Sequence, residues 1–538
     1  MQRTSFVFAL ACALAGCGSG CDGDRRKLLE PPHVAIAPVP GDAGAAAAVV
    51  TVVTAPAPPP DRRLAAAPGF LDAPAGSLDA LFAGLAAAER HDPTGRVLWL
   101  FFGDSHTAGD SMTSRLRVTL QSKFGDAGRG LVAAGKPNAR HYYQRDVHYG
   151  AVGSWKAAVG GHKGDAEPFG IGGLRVFGQS KGAQLWVETC STCQAGTSVA
   201  QFELLYYAAP DHGGLRYRVD DQPWQSLKTR TAAIEPPHPA RQVVPVADGA
   251  HRLTIEHTGG GVVDLFGVVM ERLRPGVIVD SLGVVGRRLG SLRSWDWSVI
   301  GEQLASRDPR LVVLQYGTNE ADDPDLDLEA MARYFDETIL RIHAAAPTAS
   351  VLILGPPDMG TREAGKACDR MKPGSGKDRK DRKPKDRSSD RSTGGSAGGS
   401  AGGSAGASSG GQAGAAPDAP VIPECEWRTP HVLTEIISVA HAAAARNHAA
   451  FFDTFAAMGG ADHMHQWVIA EPKIAYKDHV HLTDIGYQWW ADALSAAVLA
   501  DYDRWRRAQS LPPTAPLEAP PAPVPSDGPS PGAPGPAP

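Results

Sequence analysis

The sequence lacks three features that would indicate common classes of protein. Its net charge is only −5 over 538 residues, which argues against broad binding to nucleic acid. Beyond the N-terminus, no apolar run approaches the 18 residues of a membrane-spanning helix. The Cys190-x-x-Cys193 pair has no two further ligands at zinc-knuckle spacing, so no metal site is expected.

The N-terminus has the pattern of a targeting segment. Arg3 precedes an apolar run over 6–14 that is too short to cross a membrane as a mature helix. The run ends in Leu-Ala-Gly-Cys at 14–17, which resembles a bacterial lipoprotein cleavage box. The resemblance implies a signal peptide over 1–16 and lipid on Cys17. Since Gly18 follows the cysteine, it also implies the outer membrane of a Gram-negative cell envelope. An ordinary secretory signal is the alternative.

The remaining cysteines fit an exported protein. In an oxidising compartment we expect Cys368 to pair with Cys425 and Cys190 with Cys193, which leaves Cys21 over. The alternative for Cys190 and Cys193 is a redox or zinc half-site. We favour a local disulfide.

The pattern along the chain changes several times. Short buried runs such as 97–102, 311–316 and 351–354 alternate with helical patterns, which favours an α/β fold with a parallel sheet covered on both faces. Between 150 and 274, short alternating stretches separated by turns favour an antiparallel β-sandwich inserted into the α/β unit. The predicted organisation is a tether over 17–74, a hydrolase domain over 75–149 and 275–510, the β-sandwich over 150–274, a disordered insert over 374–420 and a disordered Pro-rich tail over 511–538.

The insert begins with a charged stretch over 377–391 that has eight Lys/Arg against four Asp, a net charge of +4. It either attracts an anionic wall polymer or lipid surface, or serves as a solvated spacer. We favour the spacer.

Two distant segments contain the parts of an activated serine nucleophile. Ser105 follows the first buried run in a Gly-Asp-Ser turn, and Asp478 lies three residues before His481. Asn319 follows a second buried run and can donate its amide to an oxyanion, as can the backbone N–H of Ser105. Gly286 follows a third and can offer a backbone N–H, although Gly283 competes for this role.

These segments resemble the SGNH (GDSL-like) hydrolases, whose four blocks supply serine, glycine, asparagine and histidine in this order. The residues that match are Ser105, Gly286, Asn319 and His481, with Asp478 preceding the histidine. The residue after Ser105 is His106 where the family name has leucine. We interpret His106 as a substrate-cleft contact rather than a second base.

Supporting motifs narrow the resemblance to bacterial peptidoglycan O-acetylesterases, in which a carbohydrate-binding-like β domain interrupts the hydrolase domain. These motifs are the Gly-rich stretch 125–130, Asp280-Ser-Leu-Gly283 and Met458-Gly-Gly460. The resemblance implies a three-layer α/β hydrolase domain, a serine esterase that deacetylates wall glycan, and no cofactor. It gives no oligomeric state.

Two alternatives stay open: an esterase on other acylated glycans or small acyl esters, and a lipoprotein that binds glycan without catalysis. Trp155, Trp186 and Trp224 are candidate sugar-stacking residues of the β region, with core packing as the alternative for each.

Overall fold

The computed structural model describes residues 64, 66–135, 144–161, 165–362 and 427–510. The predictions for the signal peptide, most of the tether, the insert and the tail lie outside these ranges, as do Cys17, Cys368 and Cys425. Within the ranges, none of the helices combines the length and the apolar character needed to cross a membrane.

The strands of the described residues fall in both halves of the chain. They are β1 (Leu71–Asp72), β2 (Arg96–Gly103), β3 (Gly128–Val132), β4 (Val147–Val152), β5 (Lys156–Val159), β6 (Leu174–Gly178), β7 (Gln184–Thr189), β8 (Val199–Ala208), β9 (Gly214–Val219), β10 (Gln225–Leu227), β11 (His238–Gly249), β12 (Arg252–Gly259), β13 (Val263–Glu271), β14 (Gly276–Gly283), β15 (Leu311–Gln315), β16 (Ser350–Leu354), β17 (Thr361–Arg362), β18 (Trp427–Arg428) and β19 (Ala450–Phe452).

The helices flank the strands of the first and last thirds of the described chain. They are α1 (Asp79–Glu89), α2 (Ser105–Ala108), α3 (Ser111–Phe124), α4 (Trp297–Arg307), α5 (Leu328–Ala345), α6 (His431–Arg446), α7 (Thr454–Met458), α8 (His463–Ile469) and α9 (Asp484–Ala508), with 3-10 turns at Ala67–Phe70 and Leu289–Ser294.

A six-stranded sheet positions the candidate site. Its strand order is β1-β19-β16-β15-β2-β14, and every pairing is parallel except that of β1 with β19. The central strand β2 pairs at Gly103 with both Gly283 of β14 and Gln315 of β15. Three strands therefore end level with one another at the carboxyl edge, where ligand sites of such sheets lie.

Both faces of this sheet are buried, as the continuous apolar strands predict. Alternate residues of β2 enter two different cores, with Leu98 and Leu100 on one side and Val97 and Trp99 on the other. Helices α4, α5 and α6 cover the first face, and α1, α3 and α9 cover the second. The fold is thus a mixed α/β structure with a three-layer core.

Two antiparallel sheets are formed by the chain between α3 and β14. One has the order β10-β9-β12-β7-β4, and the other has the order β11-β8-β13-β6-β5, with β3 also paired to β13. Strand β7 alternates between half-buried and buried residues, and side chains from both sheets share one buried cluster. The predicted boundary at residue 150 falls inside β4.

Buried ions connect the antiparallel region to the parallel sheet. Arg307 of α4 donates to Asp280 of β14 at 2.9 Å and also pairs with Glu271 of β13. Asp280 in turn accepts the backbone N–H of Leu131 in β3 at 2.7 Å. Since these carboxylates are buried, removing one partner would leave a costly unpaired charge.

Of the described helices longer than seven residues, α4 and the 25-residue α9 were not predicted. Helix α9 buries aromatic residues such as Tyr487 and Trp490, but it also buries Ser495 and Arg506. A helix is predicted from apolar residues that recur at helical spacing, and polar residues on the buried face interrupt that pattern.

Candidate active site

Ser105 begins the short helix α2 at the point where β2 ends. Asp104 caps the helix by accepting the backbone N–H of His106 at 2.9 Å. The turn is tight, because a Cβ on Gly103 would lie 2.2 Å from the Thr107 Oγ1 atom. The chain therefore reverses sharply after the strand and leaves the serine half-buried at the sheet edge.

The structure brings the two distant segments into contact. Nε2 of His481 lies 2.9 Å from Oγ of Ser105, and Nδ1 of His481 lies 2.8 Å from Oδ2 of Asp478. The other oxygen of Asp478 accepts the backbone N–H groups of Val480 and His481, each at 3.0 Å. Hydroxyl, imidazole and carboxylate thus form the chain of contacts that activates a serine.

The electrostatics keep the carboxylate charged beside the imidazole. Burial alone would raise the pKa of Asp478, but the hydrogen bond from His481 and the nearby backbone N–H groups lower it to about 2. For His481, burial favours the neutral form, yet Asp478 outweighs it and raises the pKa above its ordinary value of 6.5. A stronger base is the result, suited to accept the serine proton.

Stacked rings fix the loop that contains Asp478 and His481. His479 has a left-handed backbone, with φ of 58°, and lies parallel to the Trp427 ring at 3.4 Å between centroids. Its Nε2 is 2.9 Å from Nδ1 of His465, and its carbonyl accepts the N–H of Gly360 at 2.8 Å. Nearby chain segments therefore hold the loop in place.

His106 is not a substrate-cleft contact, because its side chain is completely buried. Its Nδ1 lies 3.0 Å from the hydroxyl of Tyr487 on α9, and its ring centroid is 5.3 Å from that of His481. Burial, followed by the nearby charge of His481, holds the pKa of His106 well below its usual range. A neutral imidazole thus links the turn of Ser105 to the helix that follows His481.

Two of the predicted oxyanion donors, Asn319 and Gly286, lie in segments that hydrogen-bond to each other. The side-chain amide of Asn319 donates to the carbonyl of Arg287 at 3.1 Å, and Nε of Arg288 donates back to the carbonyl of Asn319 at 3.0 Å. These bonds join the Asn319 loop to the segment immediately after Gly286.

The competing glycines differ in their surroundings. Gly286 is exposed, with φ of 71° and no atom within 4 Å of a Cβ built on it. A Cβ on Gly283 would instead lie 2.1 Å from the backbone N of Ala108. Gly283 therefore permits close packing of the nucleophile turn, and Gly286 is the glycine that faces open space.

Buried acids lie beneath the site. Burial raises the pKa of Asp104 to about 7, and the charge of Glu320 adds to this, against the N–H of His106 and the charge of His481. Glu320 accepts backbone N–H groups from Leu289 and Gly317 at 2.7 and 3.0 Å. The sequence did not predict the Glu320 hydrogen bonds or the contact between His106 and Tyr487. Each of them joins residues that are distant in the sequence or belong to no recognised motif.

The structure also places other residues named from the sequence. Cys190 and Cys193 form a disulfide. Trp155 is buried, whereas the Trp186 ring is covered by Arg252 at 4.0 Å and the Trp224 ring by Arg216 and Arg218. In the part of the chain described, no three His, Cys, Asp or Glu side chains gather as a metal site would require.

The comparisons with known proteins agree with this geometry. The model of the GDSL-like lipase/acylhydrolase family matches residues 253–489, which include Asn319 and His481 but not Ser105. No curated protein matches the chain significantly.

Among solved structures, a peptidoglycan O-acetylesterase matches with a TM-score of 0.57 and 22% identity, over 81% of this chain and all of that one. An acetyl xylan esterase matches at 15% identity, over 41% and 80% of the two chains, with a TM-score of 0.24. A family two carbohydrate esterase from Cellvibrio japonicus has 12% identity over 40% and 80%, with a TM-score of 0.14. The last two scores are too low to support an argument.

The fold and the family match together define a carboxylic-ester hydrolase with a three-layer α/β core. The predicted resemblance to the SGNH (GDSL-like) hydrolases is confirmed by the family model over residues 253–489, and the fold is shared with a peptidoglycan O-acetylesterase.

Proposed function

We propose that this protein is a serine esterase that removes O-acetyl groups from peptidoglycan or a related polysaccharide. The observation that carries the proposal is the contact chain from Ser105 through His481 to Asp478, at 2.9 and 2.8 Å. The fold shared with a peptidoglycan O-acetylesterase supports the choice of substrate class.

In the proposed reaction, Oγ of Ser105 attacks the acetyl carbonyl carbon while Nε2 of His481 accepts its proton. The oxyanion accepts hydrogen bonds from the backbone N–H groups of Ser105 and Gly286 and from the Asn319 amide. His481 then returns the proton to the sugar oxygen, the C–O bond breaks and the sugar alcohol leaves. Water attacks the acetyl-serine with His481 as base, and acetate is released. The residues need no metal or organic cofactor for these steps.

We also propose that lipid on Cys17 anchors the enzyme in the cell envelope, with the outer membrane of a Gram-negative bacterium as its location. The Leu-Ala-Gly-Cys pattern at 14–17 supports this placement. Labelling of expressing cells with a fatty-acid analogue tests it, since Cys17→Ala should abolish incorporation.

The resemblance to peptidoglycan O-acetylesterases, in which a carbohydrate-binding-like β domain interrupts the hydrolase domain, supports a carbohydrate-binding role for the region over 150–274, with wall glycan as the partner. Its outward Trp186 and Trp224 rings are already covered by arginines, so sugar stacking there requires those guanidinium groups to move. Pull-down by insoluble wall glycan, with and without Trp224→Ala, tests this role.

Acetate release from O-acetylated wall fragments tests the esterase proposal. Ser105→Ala should lower the rate by about 10³-fold or more, while Ser438→Ala, an exposed hydroxyl on α6, should retain it. Acetylated xylan and esters of longer acyl chains separate a wall deacetylase from a general esterase. Undiminished hydrolysis by Ser105→Ala would refute the mechanism, and glycan binding without turnover would favour the non-catalytic alternative.

A further inference from the structure

An exposed arginine lies at the rim of the candidate active site on an unusually well-fixed backbone. The side chain of Arg145 is 45% exposed, and its Nη2 donates to Oδ1 of Asp484 at 2.7 Å. Asp484 is the first residue of α9, three residues after His481, and it also accepts the hydroxyl of Ser111 at 2.7 Å. Through Asp484, Arg145 is therefore connected to the segment that follows His481 and to the start of the helix that follows Ser105.

A buried ion network holds the backbone of Arg145. Its N–H donates to Asp110 at 2.7 Å, and its carbonyl accepts Nε of Arg129 at 2.7 Å. Asp110 also pairs with Arg117 at 3.2 Å and with Arg129 at 2.7 Å, and all three side chains of this network are buried. Such a network is costly to desolvate, and its effect here is to fix the backbone that carries one exposed guanidinium.

An exposed aromatic ring lies on the same rim. The backbone N–H of Tyr476 donates to the carbonyl of His481 at 2.8 Å, and 45% of Tyr476 is exposed. Burial of its hydroxyl raises the pKa of Tyr476, and the charges of Asp484 and Asp478 add to this while that of Arg145 opposes it. The ring therefore lies within electrostatic reach of both Arg145 and the Asp478 carboxylate.

Together these side chains offer complementary contacts to one kind of ligand. An exposed aromatic ring packs against the apolar face of a sugar, and a guanidinium donates in a fixed fork to a carboxylate. The pair of Arg145 with Asp484 is half-exposed, so it is weak and can exchange for a ligand anion. Neither Arg145 nor Tyr476 is needed for the proton transfers of the proposed reaction.

We infer that Arg145 and Tyr476 form a subsite for a carboxylate-bearing sugar beside the reacting ester. The inference rests on the proposed function and sharpens it, because a muramoyl unit carries its carboxylate on a lactyl group or, further out, on a stem peptide. A neutral acetylated sugar would gain the ring contact but not the ionic one.

Inhibition of 4-nitrophenyl acetate hydrolysis tests the subsite without requiring turnover of wall. The probes are an N-acetylglucosamine–N-acetylmuramic acid disaccharide, its methyl ester, and the same disaccharide with a stem peptide. We expect the free acid to inhibit the native enzyme about tenfold more strongly than the methyl ester. Arg145→Gln should reduce this ratio to about one, and Tyr476→Ala should weaken inhibition by both. If Arg145→Gln weakens inhibition by the stem-peptide form only, the recognised carboxylate lies on the peptide.

Arg446→Gln is the matched control, since Arg446 pairs with Asp336 on the surface at nearly the same exposure, 47%. The subsite would be refuted if Arg145→Gln kept the native preference for the free acid over the methyl ester. It would also be refuted if the native enzyme did not distinguish the two inhibitors. Absence of acetate release from wall fragments with the ratio intact would instead overturn the proposed function and leave the subsite standing.

Discussion

The parallel and antiparallel regions bury their residues in different ways. All five residues of β15 and of β16 are buried, whereas β7 and β9 alternate between buried and half-buried positions. A sheet that is covered on both faces offers a ligand only its edges, so its polar groups gather where the strands end. The antiparallel sheets have an outward face, and their polar residues are spread across it.

The two regions also differ in how they relate to the candidate site. Ser105 precedes the antiparallel region, whereas Asn319 and His481 follow it, and the family match over 253–489 begins only within that region's last strands. The antiparallel region thus separates the nucleophile from its partners in sequence without separating them in space. Changes at the edge of the parallel sheet should alter chemistry, and changes in the antiparallel region should alter stability.

Among the variants that keep the nucleophile, the largest effect is expected from Asp478→Asn. Without the carboxylate, His481 loses its orientation and the charge that favours its protonated form, so kcat should fall by about 10³- to 10⁴-fold.

The pH profile gives this variant a second readout. Native activity should rise with pH through a pKa above 6.5, because His481 must be neutral to accept a proton and Asp478 raises its pKa. In Asp478→Asn that limb should move to lower pH. The dependence of kcat/KM on pH, with 4-nitrophenyl acetate as the substrate, measures the limb in both proteins, and a limb at unchanged pH would contradict the assignment.

A smaller loss is expected from Asn319→Ala. Removing one oxyanion donor should lower kcat by about 10²-fold with little change in KM. Asn319 also donates to the carbonyl of Arg287, so thermal unfolding must be measured alongside. A fall in melting temperature with unchanged kcat would assign Asn319 to structure instead.

The buried link behind the site predicts a weaker effect. Tyr487→Phe removes the hydroxyl that lies 3.0 Å from His106 and should lower kcat about tenfold through misplacement of Ser105 relative to His481. Tyr502→Phe on the same helix loses a hydroxyl bonded to Glu89 and provides the control. Equal effects of the two substitutions on kcat would argue against a positioning role.

The smallest catalytic effect should come from the antiparallel region. Replacement of both Cys190 and Cys193 by Ala removes a disulfide that closes a short loop, worth about 2 kcal/mol on the chain-entropy estimate. The melting temperature should fall by a few degrees while kcat stays constant. A matching fall in kcat would show that the two regions are coupled at the site.

Much of the parallel region could be predicted from the sequence. Helix α5 begins at Leu328 and ends at Ala345 as its apolar period predicts, and its cap is visible because Asp327 accepts the N–H of Ala330 at 2.9 Å. The strand ends could also be located, since continuous apolar runs stop at glycine or polar residues. That was enough to place Ser105 at the carboxyl edge of the sheet, and the family resemblance supplied His481 as its partner.

What could not be predicted depends on contacts between distant residues. Burial of His106 requires α9 to pack beside the nucleophile turn, and no local pattern around His106 indicates this. The difference between Gly283 and Gly286 likewise appears only when the backbone of Ala108 is in place. The Arg145 backbone is fixed by Asp110 and Arg129, which the sequence gives no reason to connect.

The hydrogen bond between Ser105 and His481 joins residues 376 positions apart. Closing so large a loop is entropically demanding and typically slow, and on a ribosome the serine emerges long before its base is synthesised. Until His481 and α9 reach the Ser105 turn, the chain therefore holds a nucleophile without its general base.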